Sequence, residues 1–379
     1  MVRRGANARP GPEGSQSARR GIPLLPLLLA AACAAPLPER FPPTPFRSEP
    51  DPRPPLDIRL SFHLHTAFSA DSRGTVESLV SLARDLGIDA LLIADHDRLD
   101  ALPMEGAHGD PPVLVLVAQE IGTPDGHLIA LGVREIIPEG LPVAEAIART
   151  RAAGGIAVAC HPRYPFFGWR GGDDVDAVEI YSLTTDLVDD FPLWTIGRFG
   201  LVAPFDSEVS VRLGLGDPTR GLRGWDRMLA ARPVVGLGAC DSHDNFGVPH
   251  RDRLRVVTTR VLADSFSVGG VLAAIRRGRV YVALEYLAPV RRFQFEIEGK
   301  VGRAEMGGAL PGEFPLRAVV RVEPSGPSAH VTLLRDGEPI DARTGGEVSF
   351  PLPGAGVYRV EVRRDGELWI ASNPIRVGR

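Results

Sequence analysis

The sequence holds a single lysine, Lys300, although lysine and arginine together number 43. Its positive charge is therefore arginine, and no lysine is available for Schiff-base chemistry in the N-terminal two thirds of the chain. Cysteine is nearly as scarce, with Cys33, Cys160 and Cys240 alone in 379 residues. Spacing by itself does not pair Cys160 with Cys240. No basic block occurs outside the N-terminus and the net charge is −4, so broad electrostatic binding of duplex nucleic acid is not indicated. No apolar run reaches the roughly 20 residues that span a bilayer. Nothing in the pattern points to a protein partner. What the chain does have is 44% hydrophobic residues and a length that suits two domains.

Residues 1–33 read as an export signal. Five arginines precede the short apolar stretch Gly21-Ile-Pro-Leu-Leu-Pro-Leu-Leu-Leu-Ala-Ala-Ala-Cys33, which Pro23 and Pro26 interrupt. The segment resembles a bacterial lipoprotein signal. That implies a lipid anchor on Cys33 and a protein facing the periplasm or the cell exterior. Loss of residues 1–32 would remove five arginines and Glu13, leaving a mature chain near −8. Residues 34–56 follow as a linker; nine of the twenty positions from Pro36 to Pro55 are proline, which favours an extended tether over a packed element.

From residue 57 to 290 short apolar runs alternate with amphipathic ones. Thr75 can cap a helix that buries Val76, Leu79, Val80, Leu82, Ala83 and Leu86 and stops at Gly87. Strands are expected at Leu56–Phe62, Ala90–Ala94, Val113–Val117, His127–Leu131, Ile156–Cys160, Ala177–Tyr181 and Val234–Gly238, with a helix over Val143–Ala152. Such βα repetition predicts a parallel sheet, more readily a barrel than an open sheet. Residues 183–223 break the rhythm and read as a lid or wall. Residues 291–379 switch to period-two strands with Asp336-Gly337 and Asp365-Gly366 turns, the pattern of a small β-sandwich.

Chemistry-bearing residues gather where these strands end. Two histidines at i and i+2, His63 and His65, share a face of the first strand. Asp71 follows in the next loop, Asp95-His96-Asp97 ends the second strand, Glu120 the third, and His127 opens the next. His161-Pro162 and Asp241-Ser242-His243 close two later strands. Six convergent imidazoles among carboxylates call for metal ions. His108, His250 and His330 lie away from strand ends. Cys160 and Cys240 read as small packing residues, their side chains turned from the face that His161 and Asp241 use. Trp169, Trp194 and Phe205 read as core by default, or as an aromatic wall if they line the site.

In this order the motifs resemble the polymerase and histidinol phosphatase (PHP) domain, over roughly Ile58 to Ala283. The resemblance implies a distorted, TIM-like (β/α)7 barrel and two or three divalent ions, zinc, manganese or iron. One ion would take His63, His65, Glu120 and Asp241, a second Glu120, His127 and His161, a third Asp71, His96 and His243. It further implies hydrolysis by a metal-bound hydroxide. Arg163, directly after His161-Pro162, reads either as a holder of a phosphate oxygen or as an exposed structural arginine. Asp97 would act in catalysis or, like Asp95 and Glu179, orient a ligand. The tail Leu368–Val377 resembles the ending of the carbaryl-hydrolase branch. A small phosphate ester or nucleotide is the expected substrate, a carboxyl ester or carbamate the alternative, and a non-catalytic metal-binding surface lipoprotein a third reading.

Overall fold

The computed structural model describes residues 55–164, 168–188, 195, 197–245, 247–300, 302–323 and 329–378. The export signal, Cys33, nearly all of the linker, and Trp194 lie outside them. In chain order the strands are β1 (Leu56–Leu64), β2 (Ala90–His96), β3 (Gly106–His108), β4 (Val113–Thr123), β5 (Gly126–Leu131), β6 (Ile156–Ala159), β7 (Ala177–Ser182), β8 (Val235–Ala239), β9 (Thr258–Ala263) and β10 (Val280–Ala283). After them come β11 (Arg292–Gly299), β12 (Gly302–Glu305), β13 (Ala309–Leu310), β14 (Leu316–Glu323), β15 (Ala329–Arg335), β16 (Glu338–Thr344), β17 (Glu347–Pro351), β18 (Gly356–Arg364), β19 (Glu367–Ser372) and β20 (Ile375–Val377). The helices are α1 (Val76–Leu86), α2 (Val143–Ala152), α3 (Leu183–Val188), α4 (Ser207–Leu213), α5 (Thr219–Ala231), α6 (His250–Leu254) and α7 (Val268–Arg276).

Helix α1 forms where its caps allow. Thr75 Oγ1 accepts the Ser78 N–H at 3.2 Å and Ser78 Oγ accepts the Thr75 N–H at 3.0 Å, while Gly87 leaves the helix at φ 67°. Its face Val76, Leu79, Val80, Ala83 and Leu86 is buried on the strands.

One large mixed sheet runs β13-β20-β18-β19-β10-β9-β1-β2-β4-β5-β6-β7-β8, and a second, antiparallel sheet runs β12-β11-β14-β17. Strands β1, β2 and β4 are parallel, as are β6, β7 and β8. The expectation of a parallel sheet fails at β5, which is antiparallel to both neighbours. Only Pro124 and Asp125 separate it from β4, and a two-residue connection can make a hairpin but not a crossover. The segment after β8 returns to β1: Cys240 N–H donates to Phe62 C=O (3.0 Å), Ser242 N–H to His63 C=O (3.2 Å) and His65 N–H to Ser242 C=O (2.9 Å). The first and last strands of this run therefore meet at the end that carries the histidines.

Two cores flank these strands. Leu91, Ile93, Val115, Val117 and Val178 pack with α1, α2 and α5, whereas Leu60, Phe62, Leu92, Leu116, Val158 and Leu237 face the other way. A third core joins both C-terminal layers, with Phe293, Phe295 and Phe350 from the small sheet against Val331, Tyr358 and Trp369 from the large one. Leu262 and Tyr281 belong to that core too, and β10 pairs with β19. Strand pairing thus runs straight across residue 290. The Asp336-Gly337 and Asp365-Gly366 pairs sit at φ 52°, 85° and 51°, 88°, both residues left-handed as a type I′ hairpin requires.

Candidate metal centre

Strand alternation delivers part of the site. In β4, Leu114, Leu116 and Ala118 point away from the helices, so Glu120 does as well; Ala90, Leu92 and Ala94 set the same course for His96. Ile129 and Leu131 do so for His127, and Leu237 and Ala239 for Asp241.

His63 reaches the site by a different route. Phe62 faces inward with Leu60, so plain alternation would turn His63 and His65 under the helices. An extra residue between Ser61 and Leu64 shifts the register against β2, and His63 takes φ 68°. This bulge leaves Leu64 on the helix side and brings both histidines inward. His161 (φ 25°), Asp241 (φ 45°) and Asp97 (φ 54°) are also left-handed. Non-glycine residues adopt that backbone at a cost of order 1–3 kcal/mol each, and here it aims donors at one point.

The nine expected ligands form one connected ring, and five of its imidazoles meet Glu120. Its Oε1 lies 2.8 Å from His127 Nδ1 and 3.0 Å from His161 Nε2. Its Oε2 lies 3.2 Å from His63 Nε2, 3.3 Å from His65 Nε2 and 3.0 Å from His96 Nδ1. Asp241 Oδ1 sits 3.6, 3.4 and 3.4 Å from His63 Nε2, His65 Nε2 and His243 Nδ1. Asp71 Oδ2 completes the ring at 3.2 Å from His243 Nε2 and 3.5 Å from His96 Nε2. Two ligands about 2.1 Å from one tetrahedral ion stand roughly 3.4 Å apart, the spacing seen here. The floor (His63, His65, Glu120) is sealed, whereas the Asp71 and His96 side chains keep 49% and 31% of their surface exposed. A ligand can reach the ring from that side.

Hydrogen bonds behind the ring fix which nitrogen faces it. Glu179 Oε1 accepts from His63 Nδ1 at 2.7 Å, and its Oε2 accepts the His161 N–H at 2.6 Å. Ser69 Oγ donates to Asp95 Oδ1 (2.9 Å), so it accepts from His65 Nδ1 (3.1 Å) and the His96 N–H (3.0 Å). With Nδ1 protonated, the Nε2 lone pairs of His63 and His65 point at carboxylate oxygens. Acceptor facing acceptor is repulsive unless a cation lies between, and His65 Nε2 is buried without a hydrogen-bond partner. The donor set therefore fits divalent ions, and mixed imidazole and carboxylate donors suit borderline metals.

Protonation tells the same story. Burial disfavours charge on His63, but Glu120, Glu179 and Asp241 outweigh it and raise its pKa well above the ordinary value. His96 is likewise carried past its burial to about 9 by Glu120, Asp71 and Asp241, and His161 rises through Glu120. Burial would lift Glu120 and Asp241, yet the surrounding histidines hold both well below the usual carboxylate range. Without metal, His63, His96 and His161 hold protons more tightly; ions would take their place.

Other expected residues fall as follows. Asp97 Oδ1 accepts the Gly122 N–H at 3.0 Å and its own N–H donates to Glu120 C=O at 2.8 Å, so it braces the two strand ends that carry His96 and Glu120. Arg163 is half-buried in the turn after His161. Cys240 packs on the helix side as expected, but Cys160 does not. It lies on the inner face, with Sγ within 4.8 Å of donor atoms of His63 and Glu179; both thiols are free and buried. Phe205 is 89% exposed and not core. Sequence reasoning missed Ser69 and passed over His250, whose Nδ1 shares a 2.7 Å hydrogen bond with Ser242 Oγ. Burial, Arg253 and His243 press His250 down to about 3, and its ring lies under the loop of Asp71, where a Cβ on Gly74 would come within 2.6 Å of Nε2. It opens a helix after Pro249, and no strand-end pattern marks it.

Glu179→Gln tests the supporting layer. Glutamine offers one acceptor where two N–H groups converge, so metal affinity is expected to fall about 10–100-fold with the fold retained, as read by metal titration and circular dichroism.

No family model matches the chain. It is 30% identical over 143 residues to the uncharacterized protein MJ1587 of Methanocaldococcus jannaschii, a match covering 33% of this chain and 82% of that one. A crystal structure from Bacteroides vulgatus, described as a two-domain protein containing a predicted PHP-like metal-dependent phosphoesterase, aligns with a TM-score of 0.43. That alignment has 14% identity and covers 88% of this chain and all of the other. The chain thus belongs to the family of the archaeal protein.

Proposed function

We propose that the protein is a metal-dependent hydrolase of the PHP type acting on a small phosphate ester. The observation that carries this reading is Glu120, whose two oxygens face separate sets of imidazoles, the arrangement of a carboxylate bridging ions. Divalent ions held by the nine residues would supply Lewis acidity and a hydrolytic water at neutral pH. The chain's own part is to hold ligand geometry from behind through Glu179, Ser69 and Asp95, and to admit substrate where Asp71 and His96 are exposed. Arg163, in the turn after His161, would receive an anionic oxygen. Asp97, which braces the strand ends of His96 and Glu120, is the candidate for proton transfer. The strand run from β1 to β8, joined at its ends, is read as the distorted (β/α)7 barrel, with the C-terminal sheets as a sandwich beside it. Export and a lipid anchor at Cys33 complete the proposal.

The test is metal analysis of the purified protein combined with turnover of a phosphomonoester, a phosphodiester, a carboxyl ester and a carbamate. Two or three ions per chain with phosphoester turnover supports the proposal. Turnover confined to carboxyl ester or carbamate moves the substrate class, and absence of bound metal overturns the site.

A further inference from the structure

At the opposite end of the strands lies a second feature. The first residues of β6 and β8 (Ile156, Val235), the ends of α5 and α7, and the chain beside β13 and β20 enclose a cavity of ≈ 380 Å³. Four arginines line it, Arg232, Arg276, Arg277 and Arg376, against one carboxylate, Asp176. That carboxylate is already committed. It accepts from Arg151 Nε and NH2 at 3.1 and 2.9 Å and from the Ala157 N–H at 2.9 Å.

The arginines differ in how far they are compensated. Arg232 reaches Asp174 at 3.0 Å. Among the described residues Arg277 pairs with Asp264, at 3.6 Å, which Arg279 holds more closely at 2.7 Å. Arg276 donates to the Gly154 and Gly155 carbonyls at 2.6 and 3.4 Å, and Arg376 to the Leu229 carbonyl at 3.4 Å. Neither of these two has a carboxylate within 4.0 Å among the described residues. Arg276 and Arg277 end α7, where a cation is favoured by the helix carbonyls, so their presence needs no ligand. Arg376 has no such account. Its neighbours Ile375 and Val377 are buried in the C-terminal core, alternation turns Arg376 to the cleft, and burial lowers its pKa. Leu229, Pro233, Val234 and Pro374 give the cleft apolar walls that strengthen any ion pair formed inside.

We propose that this cleft binds a compact phosphate-bearing small molecule, gripped by Arg376, Arg276 and Arg277. Guanidinium groups pair with phosphate oxygens through two parallel hydrogen bonds, and several converging arginines favour more than one negative charge. The cavity could not hold a duplex or a protein segment of any length. Ile156 opens β6 and His161 lies five residues on, up to roughly 16 Å at an extended rise, so this ligand is distinct from one at the metal ring. It would also join β6 and β8 to β20 and the Gly307-Gly308 loop, tying the two parts of the fold together.

The probe is inorganic pyrophosphate, titrated calorimetrically into the metal-loaded protein. Two classes of binding event are expected, one at the metal centre and one in the cleft. Arg376→Ala should lose the second class alone, with metal content and turnover in the absence of pyrophosphate unchanged. Arg277→Ala, whose side chain is 64% exposed so that its loss should leave the fold in place, should weaken the same event about tenfold. A titration of both variants indistinguishable from the parent, or a single class of event in the parent, overturns the proposal.

Discussion

Glu120→Gln is expected to strip the protein of its bridging site and to reduce ester turnover by more than about 100-fold, beyond what loss of a group behind a ligand costs. The substitution keeps volume and removes one charge from a sealed floor. Glu120 Oε1 faces two imidazole nitrogens and Oε2 three. An amide must turn its NH2 toward one set, placing donors where a cation belongs. Metal count and kcat read the result together. His127→Ala makes the contrast, because that ring meets Glu120 through Oε1 and its side chain is 20% exposed. It should weaken one ion and spare the rest. Full metal occupancy in Glu120→Gln would mean that Glu120 is not a bridge and would sink the ligand assignment.

The legible part of the site was the part that follows strand period. Glu120, His96 and His127 sit where alternation puts them, and helices α1 and α2 begin and end at residues the sequence marks. The pairing of His63 with His65 was also legible, but for an incomplete reason. Period two puts both on one face without saying which, and a bulge at His63 decides it. Bulges depend on a partner strand and leave no local trace when the residue is not glycine. Strand β9 was missed because both its faces are buried and it shows no alternation, and β16 because both its faces are exposed. The continuity of the sheet through β10 and β19 joins residues about ninety apart in sequence, a pairing that no local pattern encodes. Ser69 ties its near neighbour His65 to Asp95 and His96, which only folding brings close, and His250 folds back on Ser242 across a loop, so spacing along a strand passed both by.

In the metal-free protein, stability is expected to fall as pH rises from neutral toward about 9, opposite to the acid sensitivity that buried carboxylates alone would give. The sign follows from the histidines. His63, His96 and His161 are raised above the ordinary value, His96 to about 9. Their contribution is complete below the unfolded value of about 6.5 and is lost as pH climbs through the folded values. Glu120, Asp241 and Asp71 are lowered, so their contribution is present above the ordinary carboxylate range of about 4 and is lost as pH falls. His250, pressed down to about 3, opposes folding increasingly as pH falls below about 6.5, so the chelated protein should be most stable near pH 6.5. Divalent ions remove the alkaline limb, because they occupy the ring in place of protons, and their affinity should climb over the window in which the metal-free protein weakens. Thermal melts of chelated and metal-loaded protein across this range measure both limbs at once. A chelated protein that gains stability toward pH 9 would show that the imidazoles are neutral in the empty ring, and the acceptor-against-acceptor contacts at His63 and His65 would then have to be relieved by movement of the chain rather than by a cation.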